Sequence, residues 1–211
     1  MSEPRAHAAH FESLERQGEA SRFGMWVFLA SEALLFGGLF ALYAAYRARW
    51  PGAFADGVAE NDVVLGTTNT VILIASSFVV ALAVHERRGQ RARRAALLLC
   101  LAVLGGATFL GIKFHEYGHH FELGIFPGGH GAHFPGAQMG AAIFFTLYFG
   151  MTGLHAIHVL MGMALLVWAA ASLFRARLGL HSLEVVALYW HLVDAIWIVL
   201  WPLFYLLRGA A

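Results

Sequence analysis

Five separate stretches of this chain are long and apolar enough to cross a bilayer: Gly24–Tyr46, Leu65–Val84, Ala95–Phe114, Met139–Phe174 and Ser182–Leu207. A transmembrane helix needs about 20 mostly apolar residues. Lipid offers no water to exposed backbone, so an open chain with five such stretches is confined to helices that satisfy their own peptide groups. Composition agrees. Of the 211 residues, 59% are hydrophobic and only 13% charged, against about 25% charged in soluble domains. The expected fold class is therefore all-α, an integral membrane bundle of five transmembrane helices over residues 23–211. A polar cytoplasmic segment, residues 1–22, precedes it and lacks the apolar run of a cleaved secretory signal. The fourth stretch exceeds a perpendicular span and should tilt or project. Pro202, late in the fifth, should kink or stop that helix.

Arginines set the direction. The loop "HERRGQRARR" (85–94) carries Arg87, Arg88, Arg91, Arg93 and Arg94, the loop "RARLG" (175–179) carries Arg175 and Arg177, and the amino-terminal segment adds Arg5, Arg16 and Arg22. The opposite ends carry Arg47, Arg49, Arg208 and Lys113. By the positive-inside rule the amino terminus is cytoplasmic, and an odd number of spans puts the carboxyl terminus outside. A net charge of +1, with no basic patch interleaved with aromatics, gives no reason to expect a nucleic-acid partner. Cys100 is the single cysteine, so the chain has neither a disulfide framework nor a thiolate cage of its own. Trp26, Trp50 and Trp201 fall near span ends, where indole rings prefer the headgroup layer.

The polar residues inside the spans carry the functional question. Glu32 lies in "WVFLASEALLFGGLF" (26–40), otherwise apolar. An acidic residue at a helix centre costs roughly 2.5 to 3.5 kcal/mol on insertion scales. Glu32 should therefore be neutral, or face a partner, water or headgroups, in the bundle interior or a lipid-filled groove. His155 and His158 in "GLHAIHVLMG" (153–162) are three apart, as are His191 and Asp194 in the last span and Lys113 with Glu116 in the third. Residues at that spacing share a helix face, so each pair is able to meet on its own helix. A two-haem membrane cytochrome would instead need ligand histidines about thirteen residues apart on one helix, to cover roughly 20 Å. Interhelical hydrogen bonding and lipid contact is the reading the spacing favours. The stretch 114–136, read as an outer loop, holds His115, His119, His120, His130 and His133 beside Glu116 and Glu122. Imidazole and carboxylate suit zinc or copper. No motif there fixes four ligands, and a solvated or partner-facing loop is expected.

Four segments, taken in order, resemble subunit III of haem-copper terminal oxidases: "WVFLASEALLFGGLF", "NTVILIASS" (69–77), "GLHAIHVLMG" and "YWHLVDAIWIVLWPLFYLL" (189–207). The resemblance runs from about Gly24 to Leu207. Glu32 matches the family's intramembrane carboxylate, His155 and His158 its paired helix histidines, and Trp190, His191 and Asp194 its Trp-His-x-Val-Asp run. The segment "KFHEY" resembles the family's segment ending in Glu-Tyr, at Glu116 and Tyr117. The resemblance implies a subunit with no catalytic residue, metal or cofactor of its own. It would pack directly on subunit I, which carries haem and copper, with subunit II handling donor entry and further respiratory-complex subunits nearby. It also implies bound phospholipid, support of proton uptake and protection during turnover in a bacterial cytoplasmic membrane. Seven-helix relatives have two further amino-terminal helices that form a lipid cleft, so here subunit I would supply that wall or lipid near Glu32 would be exposed. The five-helix form also resembles subunit III of quinol oxidases and the accessory subunit of nitric oxide reductases. Quinol-type relatives often have aspartate where this chain has Glu32, which favours the cytochrome c branch. A proton-coupled carrier using Glu32, His191 and Asp194 is the alternative from another class, but paired central Gly/Pro interruptions are missing.

Overall fold

The computed structural model of the chain describes residues 14–127 and 138–207. The described residues form helices α1 (Leu14–Arg49), α2 (Pro51–Ala59), α3 (Val63–Arg88), α4 (Ala92–Glu122), α5 (Gln138–Phe174) and α6 (Leu180–Trp201), then a π-helical turn, Pro202–Leu206. Five are long and apolar enough to span a bilayer: α1, α3, α4, α5, and α6 continued through the π turn. The five expected spans are therefore present. At 1.5 Å per residue, α1 and α5 run to about 55 Å, more than the 40–45 Å of a bilayer with its headgroups. Tilt or projection, expected for the fourth span, is required for both.

Each helix boundary has a local cause. Trp50 precedes a proline and is pushed out of the α region, with φ −131° and ψ 62°, and Pro51 then opens α2 at a position where its missing N–H costs nothing. Asp62 caps α3: its Oδ1 accepts from the backbone N–H of Val64 at 2.7 Å and of Leu65 at 3.2 Å. Gly124, at φ 74°, ends α4 in a left-handed conformation that other residues adopt at a cost, while Ile125 N–H returns to His120 O at 2.9 Å.

Three boundaries differ from the sequence expectation. The first helix begins at Leu14, ten residues before Gly24, and so runs through part of the polar segment expected to precede the bundle. The third span does not stop at Phe114: α4 continues to Glu122. Histidine and glutamate lower hydropathy without breaking a helix, and the stop comes from Gly124. Residues 51–59 also form α2, too short for a hydropathy window, with Phe54 and Val58 buried. His130 and His133 lie outside the described residues.

Pro202 acts as an irregularity and not as a full stop. The π turn leaves carbonyls that its own backbone does not satisfy, and neighbouring side chains supply donors. Tyr43 OH donates to Leu203 O at 2.6 Å, Arg47 Nη2 to Leu207 O at 2.7 Å, and Asn61 Nδ2 to Phe204 O at 2.9 Å. In hydrocarbon such partners are what allow non-helical backbone. Tyr43 and Arg47 thereby pin the carboxyl-terminal end of α1 to the turn that follows α6.

Small residues set the close approaches. Asn69 Nδ2 donates to Phe109 O and Ser76 Oγ to Ala102 O, joining α3 to α4. Gly106 and Gly162 leave the notch that Trp190 fills: a Cβ on either would lie 3.0 Å or less from the indole. Without a hydrophobic drive between helices in lipid, such fitted contacts hold the bundle. The arginine-bearing loops meet at one end, where Arg87 Nη2 donates to Leu178 O at 3.1 Å and Arg88 pairs with Glu184 at 2.8 Å.

Candidate functional site

Glu32 sits on the inward stripe of α1. Leu29, Phe36 and Tyr43 are buried along that stripe, and Glu32 is half-buried between the first two. Its Oε2 lies 2.8 Å from His158 Nε2 on α5. His158 Nδ1 lies 2.8 Å from Leu154 O. A carbonyl only accepts, so Nδ1 carries a proton in that bond. One further proton then lies between Nε2 and the carboxyl group, on either partner. The pair is a protonated carboxyl against a neutral ring or a carboxylate against an imidazolium, and both forms are hydrogen-bonded. The rim of Phe36 lies edge-on to the imidazole, 5.5 Å between centroids. The cost of Glu32 is therefore offset inside the chain.

A second cluster lies toward the end of the bundle opposite the arginine-bearing loops, and the sequence indicated only half of it. Lys113 and Glu116, three apart on α4, are 3% and 4% exposed and 3.2 Å apart. Lys113 Nζ also donates to Tyr148 OH and Tyr205 OH, both at 2.9 Å, so its three N–H groups all have acceptors. Tyr148 OH donates to Glu116 Oε1 at 2.8 Å, and Tyr205 OH approaches both carboxylate oxygens at 2.7 and 2.8 Å. Four residues from α4, α5 and the π turn close into one fully hydrogen-bonded network. A buried ion pair is tolerable on those terms. Tyr148 and Tyr205 escaped the sequence reading. The available signal was a tyrosine well inside a span, where the hydroxyl must find a partner.

The remaining residues singled out in the sequence are placed differently from one another. His155 does not pair with His158. Its ring is fully buried, 5.1 Å from the Trp197 ring and edge-on to Phe109 at 5.6 Å, and neither nitrogen has a hydrogen-bond partner among the described residues. Trp190 is buried against Gly106 and Gly162 with its Nε1 likewise unpartnered. His191 turns away from Asp194 to Ser77 of α3, 2.6 Å from Nδ1 to Oγ. Asp194 is 3% exposed and faces the same serine without a well-aligned donor to either oxygen. The i, i+3 spacing placed His191 beside Asp194 in sequence, but the interhelical serine takes the imidazole. Lys113 and Glu116 are the pair that meets as the spacing suggested.

The histidines near the carboxyl-terminal end of α4 gather around a cavity of about 370 Å³ that includes His115, His119, His120, Glu60 and Asp62 and reaches Glu116. Among the described residues no three His, Cys, Asp or Glu side chains converge as a metal cage. At the arginine-rich end, two adjoining hollows share Leu188 and His191: one of about 510 Å³ between α3 and α6 with Arg22 of α1 at its edge, and one of about 400 Å³ between α1 and α6.

Comparison with known proteins fits this arrangement. A family described as cytochrome c oxidase subunit III matches residues 3–208. The chain is 33% identical to a cytochrome c oxidase subunit 3 of Synechocystis, covering 88% of this chain and 75% of that protein. It is 34% identical to a cytochrome c oxidase subunit 3 of Thermostichus vulcanus, covering 87% and 86%. A quinol oxidase subunit 3 of Bacillus spizizenii is 29% identical, covering 95% of this chain and 97% of that protein.

Proposed function

This chain belongs to the cytochrome c oxidase subunit III family, and on that premise we propose that it is the subunit of a haem-copper oxidase that carries no redox centre of its own. In this reading it packs on subunit I, holds phospholipid, and supports proton uptake and turnover stability while its partners reduce oxygen to water. Haem and copper belong to those partners, with subunit II as the donor-facing neighbour. The membrane is the bacterial cytoplasmic membrane, with the arginine-rich end inside.

The observation that carries the reading is where the intramembrane polar groups spend their hydrogen bonds. Glu32 binds His158, and Lys113, Glu116, Tyr148 and Tyr205 satisfy one another. Trp190 fills a glycine notch, and His155 packs between aromatic rings. These are contacts that hold helices together. Glu32 and His191, both half-buried, are the ones nearest the outside and thus suited to lipid or subunit contact.

A second reading, subunit III of a quinol oxidase, is favoured by the near-complete coverage of the Bacillus relative. The glutamate at position 32 favours the cytochrome c branch. The donor is a property of subunit II, so isolation of the complex in mild detergent and identification of its subunits decides between them. The same experiment tests the main reading: the chain co-migrates with a haem-bearing partner and is colourless alone. A chain that purifies with bound haem and without partners would contradict it.

A further inference from the structure

The continuation of α4 past Phe114 changes what residues 115–119 are. They read His-Glu-Tyr-Gly-His, and the segment is helical. Four apart on one helix, His115 and His119 share a face, with Cβ atoms about 5–6 Å from each other. At that spacing two imidazoles can hold one zinc ion. Both histidines are exposed, and both line the cavity of about 370 Å³ whose wall includes Glu60 and Asp62 of the turn between α2 and α3. The 31 residues of α4 rise about 46 Å, against roughly 30 Å of hydrocarbon. The helix therefore outruns the hydrocarbon, and the two histidines lie in its last two turns.

The cavity presents acceptors and has no cationic lining. No lysine or arginine borders it, and Glu60 and Asp62 bring two carboxylates. Glu116 also borders it, with its charge met by Lys113 at 3.2 Å. Two buried acceptors among the lining residues find no donor in the protein. His120 Nδ1 lies 3.0 Å from Glu116 O, so in the neutral ring Nδ1 carries the proton and Nε2 keeps a lone pair. Asn61 spends Nδ2 on Phe204 O, which leaves Oδ1 to accept. Both residues are 2% exposed, and neither His120 Nε2 nor Asn61 Oδ1 has a partner among the described residues. Buried acceptors are paired as a rule. A hydrated cation would meet both needs, with its charge facing the carboxylates and its waters donating to the two acceptors.

We propose that this cavity binds one exchangeable divalent cation of the zinc class, ligated by one ring nitrogen each of His115 and His119 and otherwise by water. Glu60 and Asp62 supply attraction through the water shell, and Asn61 and His120 accept from it. Two protein ligands make an open site, in keeping with the lack of a three-residue cage among the described residues. Imidazole selects zinc over magnesium and calcium, which prefer oxygen alone. In catalytic sites with this motif the glutamate is the general base. Here Glu116 is 4% exposed and takes hydrogen bonds from Lys113, Tyr148 and Tyr205. It is not free for that role, so the site holds its ion without hydrolysing anything. Zinc is redox-inert, and the proposal is independent of the subunit reading above.

The test is zinc uptake by equilibrium dialysis of the protein as isolated, partners included, after treatment with a chelator. The native chain is compared with His115→Ala, His119→Ala, the double variant and Glu60→Gln; Asp62 is left alone because it caps α3. Differences between chains separate this site from zinc held by partner subunits. The native protein should take up one zinc more than the double variant, and each single histidine change should weaken binding about ten-fold or more. Glu60→Gln should weaken it about six-fold at low salt, the Coulomb attraction of a divalent ion and a carboxylate across roughly 8 Å of water. Magnesium in hundred-fold excess should leave the zinc in place. Equal uptake by the native and double-variant proteins would mean an adventitious ion only and overturn the proposal. Loss with the histidines but none with Glu60→Gln would show a bare helix-surface chelate and overturn the cavity site. Displacement by magnesium would overturn the imidazole ligation.

Discussion

Glu32 on α1 and His158 on α5 are hydrogen-bonded across 2.8 Å, 126 residues apart in sequence. The bond holds the middle of α1, as Tyr43 and Arg47 hold its carboxyl-terminal end on the π turn. Elsewhere α1 is loosely covered: Phe23 is 72% exposed and Leu34 78%.

Glu32→Ala and His158→Ala should each loosen α1, and the double substitution should cost less than their sum. The coupling expected is about 0.5–1.5 kcal/mol for a neutral pair and about 1.5–3 kcal/mol for a charged one, read from a double-mutant cycle of thermal unfolding in detergent. Glu32→Gln should retain most of the stability, because its amide can still bond Nε2. Strict additivity would show that the two residues do not support each other.

The Lys113 network makes a sharper prediction. Lys113→Met leaves Glu116 buried without its cation and should cost about 3–5 kcal/mol. Adding Glu116→Gln to that variant should recover part of the loss. Tyr148→Phe and Tyr205→Phe should each cost about 1–3 kcal/mol by leaving a buried group short of one partner. Melting temperatures of the purified variants check all four.

His155 should tolerate replacement by an apolar ring of similar shape. It already lies between Phe109 and Trp197 with both nitrogens unpartnered. His155→Phe removes two unsatisfied polar atoms, so the bundle should be as stable or more stable, and the haem spectrum of the complex unchanged. A bleached spectrum would identify the ring as a ligand.

Glycines give a contrast within one bundle. A Cβ on Gly162 would lie 2.7 Å from Trp190 Cε3, whereas one on Gly37 meets nothing within 4 Å. Gly162→Ala should destabilise by about 1–3 kcal/mol through overpacking. Gly37→Ala should be neutral or gain about 0.5–1 kcal/mol of helix stability. Equal effects would mean that α5 and α6 are not packed through this notch.

The spans were legible because an apolar run of 20 residues in a bilayer has one regular solution. The end of α4 was not, because hydropathy follows the membrane while the helix follows its backbone to Gly124. The candidate site divides the same way. Glu32 announced itself by its cost, but its place on the buried Leu29–Phe36–Tyr43 stripe is a finding of the structure. Its partner was not readable, since which helix lies against α1 is a tertiary fact. Spacing paired Lys113 with Glu116 correctly and set His191 beside Asp194, where Ser77 of another helix intervenes. Intrahelical spacing gives only what is reachable, and the neighbouring helix decides what is bonded. Tyr148 and Tyr205 were overlooked because tyrosine in a span reads first as an apolar or interfacial ring.

The central claim is that electrons move through neighbouring subunits while this chain supports their continued operation. Oxygen consumption followed over many turnovers, with complexes prepared with and without the chain and matched for haem and copper, tests it directly. The account predicts nearly equal initial rates and a faster loss of activity when the chain is absent. Abolished initial reduction of oxygen, with the metal complement intact, would contradict it.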